Sequence, residues 1–215
     1  TALVIELGLD GIDVSDWPDT PVPSNWERQG YGHAIYVNVP YPFELDEPNV
    51  PTEDNPVGSY RREFTLPADW QGQDIFLQFG GVSSAFYVWI NGEFVGYSED
   101  TRLPSEFDIT KHLKKGTNKI AVKVYRWCDG SYLEDQDTWR LSGIERDVFI
   151  QAVPKVRLSD FHIRTNLDEN YEDALLQIKP KFVVNIPDKF IEKVGYFNTT
   201  PLKTVVDDWT LTTQV

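Results

Sequence analysis

Between Ser59 and Val153 the chain breaks every six to ten residues at a turn signal, and between the breaks apolar and polar residues alternate. Alternation with period two is the mark of a half-buried strand, because successive side chains point to opposite faces of a sheet. SYRREFTL (59–66) stops at Pro67, QDIFLQF (73–79) at Gly80-Gly81, and SAFYVWI (84–90) at Asn91-Gly92, after which EFVGYS (93–98) begins. Asn-Gly predicts a hairpin there, since a two-residue turn needs positive φ at both central positions. FDITKHLKKGTN predicts one helical turn stopped by Gly116. NKIAVKVYRW (118–127) sets Ile120, Val122 and Val124 against Lys119 and Lys123, and ERDVFIQAV (145–153) adds another strand. With no helical segment longer than about ten residues, the pattern predicts an all-β antiparallel sandwich of the jelly-roll type.

A length of 215 residues predicts two units at roughly 100–200 residues per domain. Pro18, Pro21, Pro23, Pro40, Pro42, Pro48, Pro51 and Pro56 all precede Ser59, so that region is expected to be mostly extended loop. Ala152-Val153-Pro154 reads as a boundary, which gives a first domain over 1–153. Beyond it DFHIRTNL (160–167), ALLQIKPKFVV (174–184) and KVGYFNTT (193–200) alternate again. An immunoglobulin-like sandwich takes about 100 residues, so 154–215 is predicted to be the truncated first part of one. The opening TALVIELGLDG has neither the basic region of a signal peptide nor an initiator Met, and the expectation is a chain processed or cut from something longer.

The net charge of −14 and pI near 4.5 repel phosphate backbones and anionic bilayers, which argues against nucleic acid and membrane partners and is compatible with a neutral ligand such as a sugar. No run approaches the roughly 20 apolar residues of a membrane helix. Cys128 is the sole cysteine, which excludes an internal disulfide and a multi-cysteine zinc site. His33, His112 and His162 have no metal-ligand spacing, and neither a G-x-S-x-G elbow nor a phosphate loop is present.

The densest chemistry lies in CDGSYLEDQDTWRLSGIERDV (128–148), with six carboxylates. Glycoside hydrolysis needs two carboxyl groups about 5 to 9.5 Å apart, and Asp129, Glu134, Asp135 and Asp137 are candidates. Asp129-Gly130 also reads as a turn, and Glu134-Asp135 as a solvated loop or as partners of Arg126, Arg140 or Arg146. Asp137 stands apart because Tyr132, Leu133 and Trp139 flank it; a carboxylate among such groups is costly to bury unless hydrogen-bonded or bound to a cation. Among the aromatics, Trp89 and Trp127 read as core residues. Trp26, Tyr36, Tyr41 and Trp139 lie in loop-like sequence and are candidates for an exposed, sugar-stacking face.

PVPSNWERQGYGHAIYVNVPYPF (21–43), NPVGSYRREFTLPADW (55–70), GVSSAFYVWINGEFVGYSEDTRLPSEFDIT (81–110) and RWCDGSYLEDQDTWRLSGIERDV (126–148) together resemble the N-terminal sugar-binding domain of family 2 glycoside hydrolases. The SYLEDQDTWRLSGI form is similar to that of the bacterial beta-galactosidases. SDFHIR (159–164) resembles the start of the family's following immunoglobulin-like domain, whereas 1–16 does not show its usual opening strand. The resemblance implies a galactose-binding-like jelly roll packed on a catalytic (β/α)8 barrel, whose two catalytic glutamates lie outside this chain. It implies retaining hydrolysis of terminal beta-D-galactosides by a homo-oligomeric bacterial parent, cytoplasmic or periplasmic, with this chain inactive alone. Asn38, by the same resemblance, contacts hydroxyls of the galactosyl unit. Asp137 contacts the sugar and ligates a sodium ion completed by the barrel, while magnesium belongs to the barrel. Two other readings stay open: an autonomous carbohydrate-binding module, and a purely structural support domain.

Overall fold

The structure, a computed structural model, describes residues 13–38, 40–186 and 189–194, with side chains described as far as residue 186. The chain divides into two compact units, Thr1–Ala152 and Val153–Val215. In the first, the Pro-rich segment carries only short elements: β1 (Ser24–Asn25), a 3₁₀ turn at Trp26–Gln29 and β2 (Ile35–Val37). The strands that follow are β3 (Val57–Phe64), β4 (Asp74–Phe79), β5 (Val82–Ser83), β6 (Ala85–Ile90), β7 (Glu93–Glu99), β8 (Ser105–Asp108) and β9 (Asn118–Tyr125). β10 (Thr138–Arg140), β11 (Gly143–Ile144) and β12 (Val148–Val153) complete the series.

A four-stranded sheet in the order β3-β9-β6-β7 and a three-stranded sheet in the order β12-β4-β8 form the sandwich. The core is what the alternation dictates. Ile75, Leu77 and Phe79 of β4, Phe86, Val88 and Ile90 of β6, and Val122 and Val124 of β9 are buried in one cluster, each contributing about 1.5–3 kcal/mol by burial. Phe79, Phe86 and Phe107 meet as a ring triad with centroids 4.7 to 6.1 Å apart. The outward residues of β6 make a second aromatic group: Trp89 is only half-buried and packs on Tyr87 and Phe94. That corrects the core reading of Trp89, whose position in the alternation places it on the outer face.

Asn91 and Gly92 both have positive φ, 53° and 85°, as their hairpin requires. Asn91 also accepts from Lys119 N and donates to Asn118 Oδ1 and His112 O, which ties the hairpin to the turn before β9. The helical turn expected near Gly116 is a 3₁₀ turn at Thr110–His112. Trp26, expected on an exposed face, is buried in the core cluster. Its ring fills the space left by the missing side chain of Gly58, where a Cβ would stand 2.3 Å from Trp26 Cζ3.

The second unit carries a three-stranded antiparallel sheet, β13 (Val156–Leu167), β14 (Ala174–Ile186) and β15 (Lys189–Val194). The first two pair from Val156↔Val184 to Leu167↔Ala174 with one irregularity at Leu158/Asp160. The end of the strand expected over 193–200 lies outside the described residues.

Candidate functional site

Two of the smallest strands bring the predicted contact residues together. β2 and β10 pair antiparallel as Ile35↔Arg140, Tyr36↔Trp139 and Val37↔Thr138. β2 ends one residue before Asn38 and β10 begins one residue after Asp137, so the two candidates, 99 residues apart in sequence, flank the same end of the ribbon just past its last residue pair. The Tyr36–Trp139 ring contact and the hydrogen bond from the Tyr36 hydroxyl put Tyr36, Trp139 and Asp137 on one face, with Asn38 following at the end of β2. All four are exposed, while Ile35, Val37, Thr138 and Arg140 are half-buried on the opposite side. The ribbon thus presents an amide, a carboxylate and two aromatic rings outward.

Tyr36 and Trp139 are in contact, with centroids 5.4 Å apart and planes tilted 45°. The Tyr36 hydroxyl donates to Asp137 Oδ1 at 2.6 Å, and that hydrogen bond, reinforced by the carboxylate charge, holds the phenol above its ordinary pKa. Such a bond pins the carboxylate orientation on a face otherwise open to solvent. Among the described residues no other hydrogen bond or ion pair engages Asp137. An exposed carboxylate of this kind is a suitable oxygen donor for a hard cation, but as one ligand it does not make a complete site.

The neighbouring acids are occupied. Glu134 accepts from the Thr101 backbone N–H at 2.9 Å and from the Thr101 hydroxyl. Asp135 pairs with Arg140, whose Nη1 donates to Glu134 O at 2.9 Å. Glu145 accepts from Asn25 Nδ2 at 3.2 Å and faces Arg102 at 3.4 Å; burial nevertheless pushes its carboxyl up. Asp129, itself exposed, opens a 3₁₀ turn, Asp129–Tyr132. Those arrangements match the loop-positioning and ion-pair alternatives.

Tyr41 and Trp127 serve to fasten the Pro-rich loop. Tyr41 is half-buried and donates its hydroxyl to Tyr132 O at 2.7 Å, so it belongs to packing rather than to the exposed face. Tyr132 donates to Asn49 O at 2.5 Å, and Phe43 lies between the Trp127 and Tyr132 rings at 5.2 and 5.4 Å. The buried Trp127 indole agrees with its core assignment.

Beside the ribbon lies a cavity of about 40 Å³, lined by residues including Thr138, Arg140, Arg126, Trp127 and Ser142. It has room for a few waters and falls well short of the several hundred Å³ of a small-molecule pocket. Glu99, Cys128 and Asp129 bring potential ligand atoms within 4.8 Å of one another, and burial raises the Cys128 thiol above its ordinary pKa.

A member that sequence reasoning left as one alternative among several is Arg126. Its side chain is buried, Nη2 donates to His33 O at 3.1 Å and Arg140 O at 3.2 Å, and Glu27 lies 3.9 Å away. The signal available was an arginine closing an alternating strand directly before a Trp, where a solvated polar residue is the ordinary occupant.

Residues 12–154 match the family model described as "Glycosyl hydrolases family 2, sugar binding domain". Among curated proteins, the chain is 55% identical over 166 residues to a beta-galactosidase of Priestia megaterium, covering 75% of this chain and 16% of that protein. It is 50% identical over 183 residues to a beta-galactosidase of Pseudoalteromonas haloplanktis, covering 85% and 17%. The chain therefore spans about one sixth of the length of these relatives. Among solved structures, a Bacteroides uniformis beta-glucuronidase 2 matches with a TM-score of 0.66 at 22% identity, over 87% of this chain and 23% of that one. A beta-glucuronidase of an uncultured Clostridium species matches with a TM-score of 0.58 at 22% identity, over 83% and 30%. At that identity the likeness is one of fold, and it agrees with the all-β sandwich. With two-thirds of its length matched by the family model and half or more of its aligned residues shared with these relatives, the chain belongs to family 2 of the glycosyl hydrolases, through their sugar binding domain.

Proposed function

We propose that this chain is the non-catalytic N-terminal part of a beta-galactosidase and lends substrate contacts to an active site completed by a separate catalytic barrel. In this reading residues 1–153 are the sugar-binding domain and 154–215 the first strands of an immunoglobulin-like domain. The observation that supports it is the β2–β10 ribbon, where exposed Asp137 is held by the Tyr36 hydroxyl beside Trp139 and exposed Asn38 follows directly on β2 at the same end. An amide and a carboxylate together offer donors and acceptors for sugar hydroxyls, and aromatic rings offer faces for sugar C–H groups. Both side chains are exposed, and the cavity of about 40 Å³ beside the ribbon is too small for a sugar, which supports a site finished by another domain.

Asp137 is suited to act as one ligand of a sodium ion, whose charge would offset the loss of solvation when the site closes. Proton transfer and nucleophilic attack fall to carboxyl groups outside this chain; Asn38 and Asp137 bind and orient. The test is steady-state kinetics of the full-length enzyme on a beta-galactoside. Asp137→Asn and Asn38→Ala are each expected to lower kcat/KM at least about 20-fold, equivalent to roughly 2 kcal/mol of lost binding per site, and Asp137→Asn also abolishes the response to sodium. Unchanged kcat/KM and unchanged sodium response in both variants would transfer the chain to the purely structural reading.

A further inference from the structure

We propose that Arg126 is the positioning residue of the Asn38–Asp137 pair, an inference that rests on the reading of that pair given above. Arg126 follows the last residue of β9 and is 4% exposed. One nitrogen, Nη2, donates to His33 O at 3.1 Å and to Arg140 O at 3.2 Å. His33 is two residues before β2, and Arg140 is the last residue of β10 and the partner of Ile35. A single guanidinium nitrogen therefore bridges both chains of the ribbon at one end. Asn38 and Asp137 stand at the other end, three residue steps away, or about 10 Å at roughly 3.3 Å per residue.

The clamp is itself fixed to the sandwich. Its backbone N–H donates to Pro56 O at 3.1 Å, and its guanidinium carbon lies 5.1 Å from the Trp127 ring. Glu27, whose side chain is also buried, faces Nη2 at 3.9 Å and accepts from Ser142 N at 2.9 Å, two residues past the end of β10. Arg126 Nε and Glu27 Oε1 have no hydrogen-bond partner among the described residues. A pair that spends two buried charges and leaves polar atoms unmet is a poor source of stability, since an apolar pair of equal volume commonly does as well. What an apolar pair cannot do is bond two carbonyls on separate strands. With only three residue pairs in the ladder, that bond sets the register and twist at the end of which Asn38 and Asp137 meet the sugar, where small misplacements are costly.

The experiment uses the full-length enzyme, a beta-galactoside substrate and thermal melting. Because Arg126→Met alone strands a buried carboxylate, it is paired with Glu27→Gln; Arg126→Lys keeps the charge and carries the test if the double variant does not fold. The expected result is KM raised on the order of tenfold in the double variant and less in Arg126→Lys. In an Asn38→Ala/Asp137→Asn background the same substitutions should change KM by less than about twofold, because a positioning effect then has neither member of the pair left to act through. A lower melting temperature with KM unchanged, or an equal KM effect in both backgrounds, overturns the positioning role. If Asp137→Asn and Asn38→Ala leave KM and kcat/KM untouched, the reading of the pair fails first; if they act and the Arg126 variants do not, only this inference fails.

Discussion

Gly58→Ala is the most exacting packing test of the first unit. Gly58 lies in β3 opposite Val124, and a Cβ there would stand 2.3 Å from Trp26 Cζ3, 2.5 Å from Cε3 and 3.2 Å from Tyr60 Cε2. Carbon atoms pack best at about 3.5–4.0 Å, so Trp26 or β3 must retreat by more than about 1 Å. Neither is free to do so: Trp26 is 6% exposed, its N–H is bonded to Ser142 O at 3.0 Å, and its carbonyl accepts from Tyr31 N, while β3 is paired along its length with β9. Overpacking of a fixed core costs about 1–3 kcal/mol, and at the upper end expected for immobile neighbours the melting temperature falls by about 6–12 °C for a chain of this size. Thermal melting followed by circular dichroism reads this directly. Adding Trp26→Phe, which shortens the ring that the new methyl meets, should make the double variant more stable than the sum of the single effects by at least about 0.5 kcal/mol. A shift under about 2 °C for Gly58→Ala, or strict additivity with Trp26→Phe, would refute the close approach from which the magnitude is worked.

Other outcomes follow from the titrating groups. Burial raises the Glu145 carboxyl above its ordinary 4.5, so the folded state holds its proton to higher pH than the unfolded chain; stability from this group is complete below about 4.5 and is lost as pH rises through the folded value. Glu145→Gln should therefore raise the melting temperature at pH 7.5 and give no gain at pH 4, and a gain of equal size at both would contradict the burial argument. Tyr36 donates to Asp137, so ultraviolet titration of phenolate should show one tyrosine whose ionisation moves to lower pH in Asp137→Asn; an unchanged curve would mean that the bond is absent in solution.

The sandwich was legible because its strands carry their own evidence: β4, β6 and β9 alternate over six to eight residues and run out at Gly80, Asn91-Gly92 and Arg126-Trp127. β8 escaped because SEFD is four residues with one apolar side chain, and its place beside β4 depends on pairing rather than on pattern. The ribbon escaped for the same reason. IYV and TWR are three residues each, and nothing local records that one will find the other about 100 positions away. Asn38 and Asp137 were reached through resemblance, and the geometry adds that both flank the same end of that ribbon. Trp26 was misjudged because a tryptophan among prolines and glycines looks solvent-facing, when the space for it was made by Gly58, 32 residues on. Trp89 was misjudged in the opposite sense: alternation puts every second residue of β6 in the core, and Trp89 falls on the other phase, where an outer aromatic group shelters it.

The claim that ties these observations together is that the Asn38–Asp137 face binds sugar only as part of a larger site. Its most direct measurement is calorimetric titration of galactose into the 215-residue chain and, in parallel, into the full-length enzyme. Two polar side chains supply a few hydrogen bonds of about 0.5–1.5 kcal/mol each, which does not offset an association cost of about 4 kcal/mol or more. The account predicts no saturable heat from the isolated chain up to about 10 mM galactose, and a saturable heat from the full-length enzyme that Asp137→Asn removes. A dissociation constant below about 1 mM for the isolated chain, lost in Asp137→Asn, would contradict it and make the chain a carbohydrate-binding module in its own right.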